Sequence, residues 1–402
     1  MNANGLAKPA IEGGKPVRKQ FLVFGKPDIR ENDIAEVVDT LRSGWIGHGP
    51  KTEKFEAMFC EYTDANHAIA VNSCTAALYL SLEMLDIKPG DEIITSPLTY
   101  PSTANVILQH NAKLVFADVE AKTGNIDPVE IQKNITTKTI AVIPVHLYGY
   151  PANMMEILDL AEYSSIAVIG DAAHAVEAKV ANKHVGTLGD AACFSFYATK
   201  NITTADGGMI TTNREDWAKK LKLLRMHGVT RTAWNRFKQD EFKFYDTVAL
   251  GYKFNLTDLQ SAMAIHQMER IEESWSRRSK IWQTYDETFK QFEGIELPPL
   301  PKNGKHGKHL YPLRLDIERL KVSRNYFLKA LQAEGIGASI QFISLHLHSF
   351  YKERFHFKTE DFPNAAKISE KVLSLPITSA MTANDAKDVI AAVEKLLKYY
   401  AK

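Results

Sequence analysis

The sequence predicts an α/β fold in which a mostly parallel sheet is covered by helices on both faces. Between residues 66 and 213, short runs rich in β-branched or aromatic residues alternate with helical or loop segments. Several runs are apolar almost throughout, as in strands that are buried on both faces. At least four are separated by segments long enough for crossover helices, which is typical of parallel sheets. The seven runs are HAIAVNS, DEIITSP, KLVFADV, TIAVIPVHLYG, IAVIGD, AACFSFY and GGMITTN.

Beyond residue 251 the periodicity changes to that of long helices. Thr257 and Gln260 have the spacing of a capping box, and apolar residues recur after them at helical intervals. The Pro- and Gly-containing linker LPPLPKNGKHGKH then leads into two strand-like runs and further helices. We therefore expect an N-terminal arm at residues 1–30, a large ligand-binding domain at 31–265, and a smaller α+β domain at 266–402 that begins with a long linking helix.

Composition restricts the class of partner. The 402 residues carry 49 Lys and Arg against 48 Asp and Glu, so no overall field favours nucleic acid or an anionic membrane. Three scattered cysteines suit neither a disulfide framework nor a zinc site. The first residues lack the apolar stretch of a signal peptide, and no run of about 18 apolar residues occurs. We expect a cytoplasmic protein that binds small molecules or protein.

Three predicted strand ends carry polar residues that complement one another. In VNSCTAAL, Ser73 or Thr75 caps a helix whose first N–H groups would attract an anion. IAVIGD ends in the carboxylate of Asp171, and AACFSFYATK supplies Ser195 and Lys200. Each signal alone is ordinary, because helix caps, loop-capping aspartates and surface lysines are common. In parallel sheets, however, ligands bind at the carboxyl ends of the strands, where these residues would meet.

A cofactor with a phosphate, a protonated ring nitrogen and an aldehyde would use all three groups, and pyridoxal phosphate has that set. Tyr100, at another strand end, could stack on its ring, although simple packing is the commoner fate of such a tyrosine. Other cofactors fit less well. GHGPKT lacks the third glycine of a dinucleotide fingerprint, and His346 and His348 alone are weak evidence for a metal. We expect no metal site.

Taken together, the motifs resemble those of the DegT/DnrJ/EryC1/StrS sugar-nucleotide aminotransferases, which have the aspartate-aminotransferase fold, pyridoxal-phosphate fold type I. The resemblance runs in order over nearly the whole chain. Its segments are GWIGHGPKTEKFE, NSCTAALYLSL, SPLTYPSTANVI, PVHLYGYPANM, GDAAHAVEA, GDAACFSFYATKNITTADGGMITTN, MHG, GYKFNLTDLQSAMAIHQMERIE, LHLHSFY and LSLPI.

The resemblance implies roles for individual residues. Lys200 would hold the cofactor aldehyde and move the substrate proton, while Asp171 would pair with the pyridinium nitrogen. Asn255 would reach the cofactor phosphate of the partner subunit, which implies a homodimer. The implied cofactor-binding residues are Thr75, Ala76, Tyr100, Asp171, His174, Ser195, Lys200 and Asn255.

The resemblance also implies the reaction: L-glutamate gives its amino group to a keto sugar nucleotide. The C-terminal segments are most similar to members acting on 4-keto-6-deoxy hexoses, which yield 4-amino-4,6-dideoxy sugar nucleotides for surface glycans or lipopolysaccharide. Trp45, His309 and His346 would face the sugar. The aromatic and basic loop TRTAWNRFKQDEFKFY is as consistent with a contact to the nucleotide as with a mobile surface loop. The sequence departs from the common family pattern at Gly170, because relatives often have an acidic residue before the aspartate. Alternatives are a dehydratase or epimerase on this scaffold, an aminotransferase for 3-keto sugars or cyclitols, and a non-catalytic regulatory relative.

Overall fold

The centre of the fold is a seven-stranded sheet. The computed structural model describes residues 7–230 and 244–402. The sheet has the order β1-β9-β8-β5-β4-β2-β3; β9 is antiparallel to both neighbours and the other pairings are parallel. Each of the seven predicted runs contributes one strand, so the predicted mostly parallel sheet is confirmed. Its strands are β1 (His67–Val71), β2 (Glu92–Thr95), β3 (Lys113–Phe116), β4 (Thr139–Ile143), β5 (Ala167–Asp171), β8 (Ala191–Ser195) and β9 (Gly208–Thr212).

Helices cover both faces of this sheet. The helices of the first half are α1 (Glu31–Ser43), α2 (Pro50–Thr63), α3 (Cys74–Leu82), α4 (Pro101–Gln109), α5 (Pro128–Asn134), α6 (Met154–Ser164), α7 (Glu215–Leu224) and α8 (Asp258–Glu269). Along β1, Ile69 and Val71 pack with α3, α4 and α7, whereas Ala68 and Ala70 pack with α2 and α8. Successive side chains of a strand point to opposite faces, so burial on both sides explains why the runs are apolar throughout.

A second core lies in the C-terminal part of the chain. The helices of the C-terminal part are α9 (Ile271–Phe289), α10 (Arg324–Ala333), α11 (Ser349–Phe355), α12 (Pro363–Lys371) and α13 (Ala383–Tyr400), of which α11 and α12 pack against the first core. Helices α9, α10 and α13 pack on an antiparallel sheet of β10 (Ile295–Glu296), β12 (Tyr311–Leu315) and β13 (Val372–Leu375). A small ribbon joins β6 (Lys179–Val180), β7 (Lys183–His184) and β11 (Gly304–Lys305). None of the helices in the two described ranges is long and apolar enough to cross a membrane.

The connections between these parts follow the predicted helix signals. The capping boxes at Thr257 and Thr382 both form, at the starts of α8 and α13. The helical stretch that follows Thr257 is divided at Arg270, which leaves helical geometry and pairs with the buried carboxylate of Asp33. The long linking helix is therefore α9. The N-terminal segment packs against the second core, where Glu334 accepts the backbone N–H groups of Ala10 and Val17 at 2.8 and 2.9 Å.

Candidate active site

A cavity of about 490 Å³ opens at the carboxyl ends of β5 and β8. Asp171 is the last residue of β5 and Ser195 the last residue of β8. This is the edge of a parallel sheet where ligands bind. The structure thus brings together most of the predicted site residues. Those that line the cavity are Thr75, Tyr100, Asp171, His174, Ser195, Lys200 and His309.

One end of the cavity is formed by the N-terminus of α3. Ser73 caps this helix, and its Oγ accepts the backbone N–H of Ala76 at 3.1 Å. The N–H groups of Cys74 and Thr75 lie in the first turn, where an α-helix provides no acceptor. A Cβ on Gly208 would lie 2.5 Å from the carbonyl oxygen of Ser73, so only glycine lets β9 approach the helix start this closely. A helix start with free N–H groups is suited to hold an anion such as phosphate.

Asp171 provides a buried carboxylate at the centre of the cavity, and only 4% of the residue is exposed. Its Oδ2 accepts the hydroxyl of Thr103 at 2.7 Å, and its Oδ1 accepts the backbone N–H of Ala173 at 3.1 Å. Burial raises the pKa of Asp171, and these two hydrogen bonds oppose the rise. A buried carboxylate is stabilised by a cationic partner. A protonated ring nitrogen would be such a partner.

Lys200 lies on the loop that follows β8, where its backbone N–H donates to the carbonyl of Tyr197 at 2.9 Å. Burial lowers the pKa of Lys200 to about 8, while the negative charge of Asp171 opposes the shift. An amine with such a pKa is partly neutral at pH 7 and can attack an aldehyde. The lysine and the carboxylate therefore have complementary chemistry within one cavity.

Two histidines form the wall next to Lys200. The rings of His174 and His309 have centroids 4.8 Å apart, and His174 stacks on Phe342 at 5.7 Å with an interplanar angle of 12°. Burial, and then the charge of Lys200, lower the pKa of both histidines well below the usual value. Both rings are therefore neutral at pH 7. Tyr100 lies at the mouth, 61% exposed, with its ring centroid 6.0 Å from that of Phe342.

Four predicted site residues lie outside the cavity lining. The N–H of Ala76 is used by the Ser73 cap, so it is not free for a phosphate. Asn255 is buried, and its Nδ2 donates to the carbonyl of Leu256 at 3.1 Å.

The other two residues were predicted to face the substrate. Trp45 donates from Nε1 to the carbonyl of His48 at 3.2 Å. His346 is fully buried and its ring packs on Phe362, so its position does not support the predicted substrate contact. Most of the aromatic and basic loop, residues 231–243, lies outside the described residues.

Several residues that line the cavity or support its lining were not predicted from the sequence. Thr103 stands on the first turn of α4 and fixes Asp171, and its place shortly after the SPLTY strand end is a usable signal. Phe24, from the N-terminal segment, and Gln341, from the C-terminal part, enter the cavity from distant parts of the chain. Nothing in their local sequence indicates this. The same holds for Asn201, whose contacts are described below.

These features fit pyridoxal phosphate by the chemistry of their donors and acceptors. The helix N-terminus of α3 suits a phosphate, Asp171 suits a pyridinium nitrogen, and Lys200 suits an aldehyde. The close approach at Gly208 keeps the helix start and the sheet edge together. Fold and site together define an enzyme with the aspartate-aminotransferase fold that depends on pyridoxal phosphate.

Comparison with known proteins identifies the family. Residues 27–394 match the DegT/DnrJ/EryC1/StrS aminotransferase family, and the chain belongs to it. It is 44% identical to the spore coat polysaccharide biosynthesis protein SpsC of Bacillus subtilis over 382 residues, 95% of this chain and 98% of that protein. It is 48% identical to an uncharacterised protein of Methanocaldococcus jannaschii over 381 residues, 95% of this chain and 99% of the relative.

Solved structures agree with this assignment. The putative sugar aminotransferase Spr1654 of Streptococcus pneumoniae, in its PMP form, has a TM-score of 0.87 at 30% identity and covers 94% of this chain and 99% of its own. The same protein has also been solved in a PLP form. PseC of Helicobacter pylori, an aminotransferase of pseudaminic acid biosynthesis, has a TM-score of 0.88 at 27% identity, covering 95% of this chain and 100% of its own. The protein is a pyridoxal-phosphate-dependent aminotransferase, and the predicted family, fold, enzyme class and cofactor are confirmed.

Proposed function

We propose that the protein transfers the amino group of L-glutamate to a keto sugar nucleotide. The acceptor that we propose is a 4-keto-6-deoxy hexose, which gives a 4-amino-4,6-dideoxy sugar nucleotide for a surface glycan such as lipopolysaccharide. The observation that carries the proposal is the cavity that both Lys200 and Asp171 line. Its volume lies within the range of about 300–1,000 Å³ usual for small-molecule sites. Similarity to sugar aminotransferases and to a spore coat polysaccharide protein supports a sugar acceptor.

The side chains around the cavity have distinct tasks in this proposal. When bound, pyridoxal phosphate supplies an aldehyde and a ring that accepts electrons. The first turn of α3 at Thr75, with Ser195, would hold the phosphate, and Tyr100 would lie over the ring; all three residues line the cavity. Asp171 would keep the ring nitrogen protonated. The amine of Lys200 would act as the base that moves the substrate proton, and proton transfer by a positioned base is worth about 10²–10⁴-fold in rate.

Lys200→Ala tests the proposed chemistry. The variant should fold as the parent does but should not convert bound pyridoxal phosphate to its amine form when glutamate is added. In the parent, glutamate should convert the cofactor to its amine form. A parent spectrum that glutamate leaves unchanged would refute glutamate as the donor and favour a dehydratase, an epimerase or a regulatory protein.

The acceptor is tested with a panel of 4-keto and 3-keto sugar nucleotides that carry UDP, GDP or dTDP. Product mass and NMR then identify the carbon that receives the amino group. Amination at C3, or of a cyclitol, would replace the acceptor that we propose. Conversion of the sugar without consumption of glutamate would indicate the dehydratase or epimerase alternative.

We further propose that the active unit is a homodimer in which Asn255 reaches the cofactor phosphate of the partner subunit. Exposed apolar residues in neighbouring segments support an interface there: Ile46, Val248 and Leu250 are 50%, 56% and 89% exposed. The test mixes Lys200→Ala with Asn255→Asp chains. If Asn255 acts across the interface, about a quarter of the sites regain both residues and activity returns. If it acts within its own chain, no activity returns.

We also propose the division into a domain at residues 31–265 and one at 266–402, with the arm at 1–30. A buried apolar cluster made only of residues between Ile281 and Tyr400 supports a separate C-terminal core. The three cysteines are all free, which suits the reducing cytoplasm where we place the protein.

A further inference from the structure

A series of polar contacts connects a buried ion pair to the wall of the cavity. Glu177 and Arg278 form an ion pair, 0% and 1% exposed respectively. Asn201, the residue after Lys200, donates from Nδ2 to Oε2 of Glu177 at 2.8 Å and to the carbonyl oxygen of Gly307 at 3.0 Å. These contacts fix the position of the Asn201 amide.

The same contacts fix which way the amide faces. A carboxylate and a backbone carbonyl only accept hydrogen bonds, so the nitrogen of the Asn201 amide must point toward Glu177 and Gly307. Its oxygen, Oδ1, therefore points to the other side, where Nδ1 of His309 lies at 3.2 Å. An amide oxygen is an acceptor only, so Nδ1 of His309 must carry a proton.

The neutral ring of His309 then has no proton on Nε2. The two ring nitrogens of an imidazole point in different directions, so Nε2 faces away from Asn201, and His309 lines the cavity. His174 has the opposite tautomer, because its Nδ1 accepts the backbone N–H of Tyr148 at 3.2 Å, which leaves the proton of the neutral ring on Nε2. The two adjacent rings thus offer the cavity one acceptor and one donor.

We propose that Asn201 is a positioning residue that holds His309 with its proton on Nδ1, so that Nε2 is a hydrogen-bond acceptor beside Lys200. The proposal deepens the amino-transfer function proposed above and rests on it. Glu177 and Arg278 act indirectly, through Asn201, because they hold its amide in the required orientation.

The arrangement matters for the proton that Lys200 carries. The released amine alternates between a neutral form and an ammonium, and the ammonium has only donors. An acceptor at Nε2 of His309 can receive an N–H of that ammonium and hold it in place. With the proton on Nε2 instead, two donors would face each other. Removal of the amide should therefore slow proton transfer more than it weakens binding of glutamate.

The first test is the tautomer itself, read from ring ¹⁵N NMR shifts of the holoenzyme labelled at histidine and assigned by loss of the signals in His309→Gln. We expect a protonated Nδ1 and an unprotonated Nε2 at His309. In Asn201→Leu, which has no amide, the proton should move to Nε2 in part or wholly. Asn364→Leu, which removes an amide bound to the carbonyl of Val119, is the control and should leave His309 unchanged.

The second test is a double-mutant cycle on the glutamate half-reaction, followed by cofactor absorbance. Asn201→Leu should lower its maximal rate by about 10- to 100-fold with little change in apparent KM. In the His309→Gln background, where no tautomer needs fixing, the same change should alter the rate by less than about threefold. Fully additive losses would mean that Asn201 has a structural role only.

A wild-type spectrum with the proton on Nε2 of His309 would overturn the proposal, whatever the result for Asn201→Leu. An unchanged tautomer in Asn201→Leu would also overturn it. Neither NMR result involves a sugar acceptor. If the panel of keto sugar nucleotides fails while the tautomer is as expected, the acceptor assignment is wrong and the role of Asn201 stands.

Discussion

The pKa of Lys200 gives a quantitative prediction for capture of the cofactor. Only a neutral amine attacks an aldehyde, and burial lowers the pKa of Lys200 to about 8. At pH 7, about one amine in ten is then neutral, against roughly one in 2,500 for an ordinary lysine with a pKa of about 10.4. The rate at which the apo-protein binds pyridoxal phosphate covalently should rise with pH and level off above a midpoint near 8.

Two aspartate variants sharpen this prediction. The negative charge of Asp171 raises the pKa of Lys200, so Asp171→Asn should move the midpoint to lower pH. Asp118→Asn is the control, because Asp118 is also buried but accepts the backbone N–H groups of Asn364 and Ala365, away from the cavity. Stopped-flow absorbance at several pH values gives the midpoints. A rate that still rises tenfold per pH unit at pH 10, or a midpoint that moves upward in Asp171→Asn, would refute the reasoning.

Two other predictions concern packing and buried charge. Gly208→Ala should weaken binding of pyridoxal phosphate by about tenfold or more, because the added Cβ would press on the first turn of α3. Gly47→Ala is the control and should bind the cofactor normally, because its added Cβ would have no atom within 4 Å. Equilibrium titration with the cofactor compares the two variants. Glu177→Gln should lower the free energy of unfolding by about 3–5 kcal/mol, because it leaves the buried Arg278 without its charge partner. Glu296→Gln is the control: it breaks an ion pair whose carboxylate is 58% exposed and should lower the free energy of unfolding by less than about 1 kcal/mol. Urea titration measures both variants, and equal losses of stability would contradict the role of burial.

The strands could be predicted from the sequence because both faces of the central sheet are covered. A strand buried on two sides must be apolar at consecutive positions, and that pattern is local. The antiparallel direction of β9 is harder to predict from the sequence. Residues 196–207 join β8 to β9 without a helix, whereas the connection between parallel strands is usually an α-helix. The loop that carries Lys200 thus takes the place of a crossover helix.

The sequence indicates those cavity-lining residues that follow strand ends, but not those whose position depends on distant packing. Asp171 and Lys200 follow apolar runs, so parallel topology alone brings them to one edge. His346 lies in a single 3₁₀ turn, and no local pattern shows which side of one turn is buried. Asn201 is adjacent to Lys200, yet its meaning comes from Glu177 and His309, which lie 24 and 108 positions away.

The ionisable groups of the cavity are separated in function by their surroundings. Burial disfavours the charged form of each group, so it lowers the pKa of His174, His309 and Lys200 and raises that of Asp171. For the histidines the shift removes titration from the neutral range, whereas the same effect brings Lys200 into it. One group therefore exchanges protons near pH 7, while the two rings keep fixed donor and acceptor positions around it. Such separation of pKa values lets a single amine act as both acid and base.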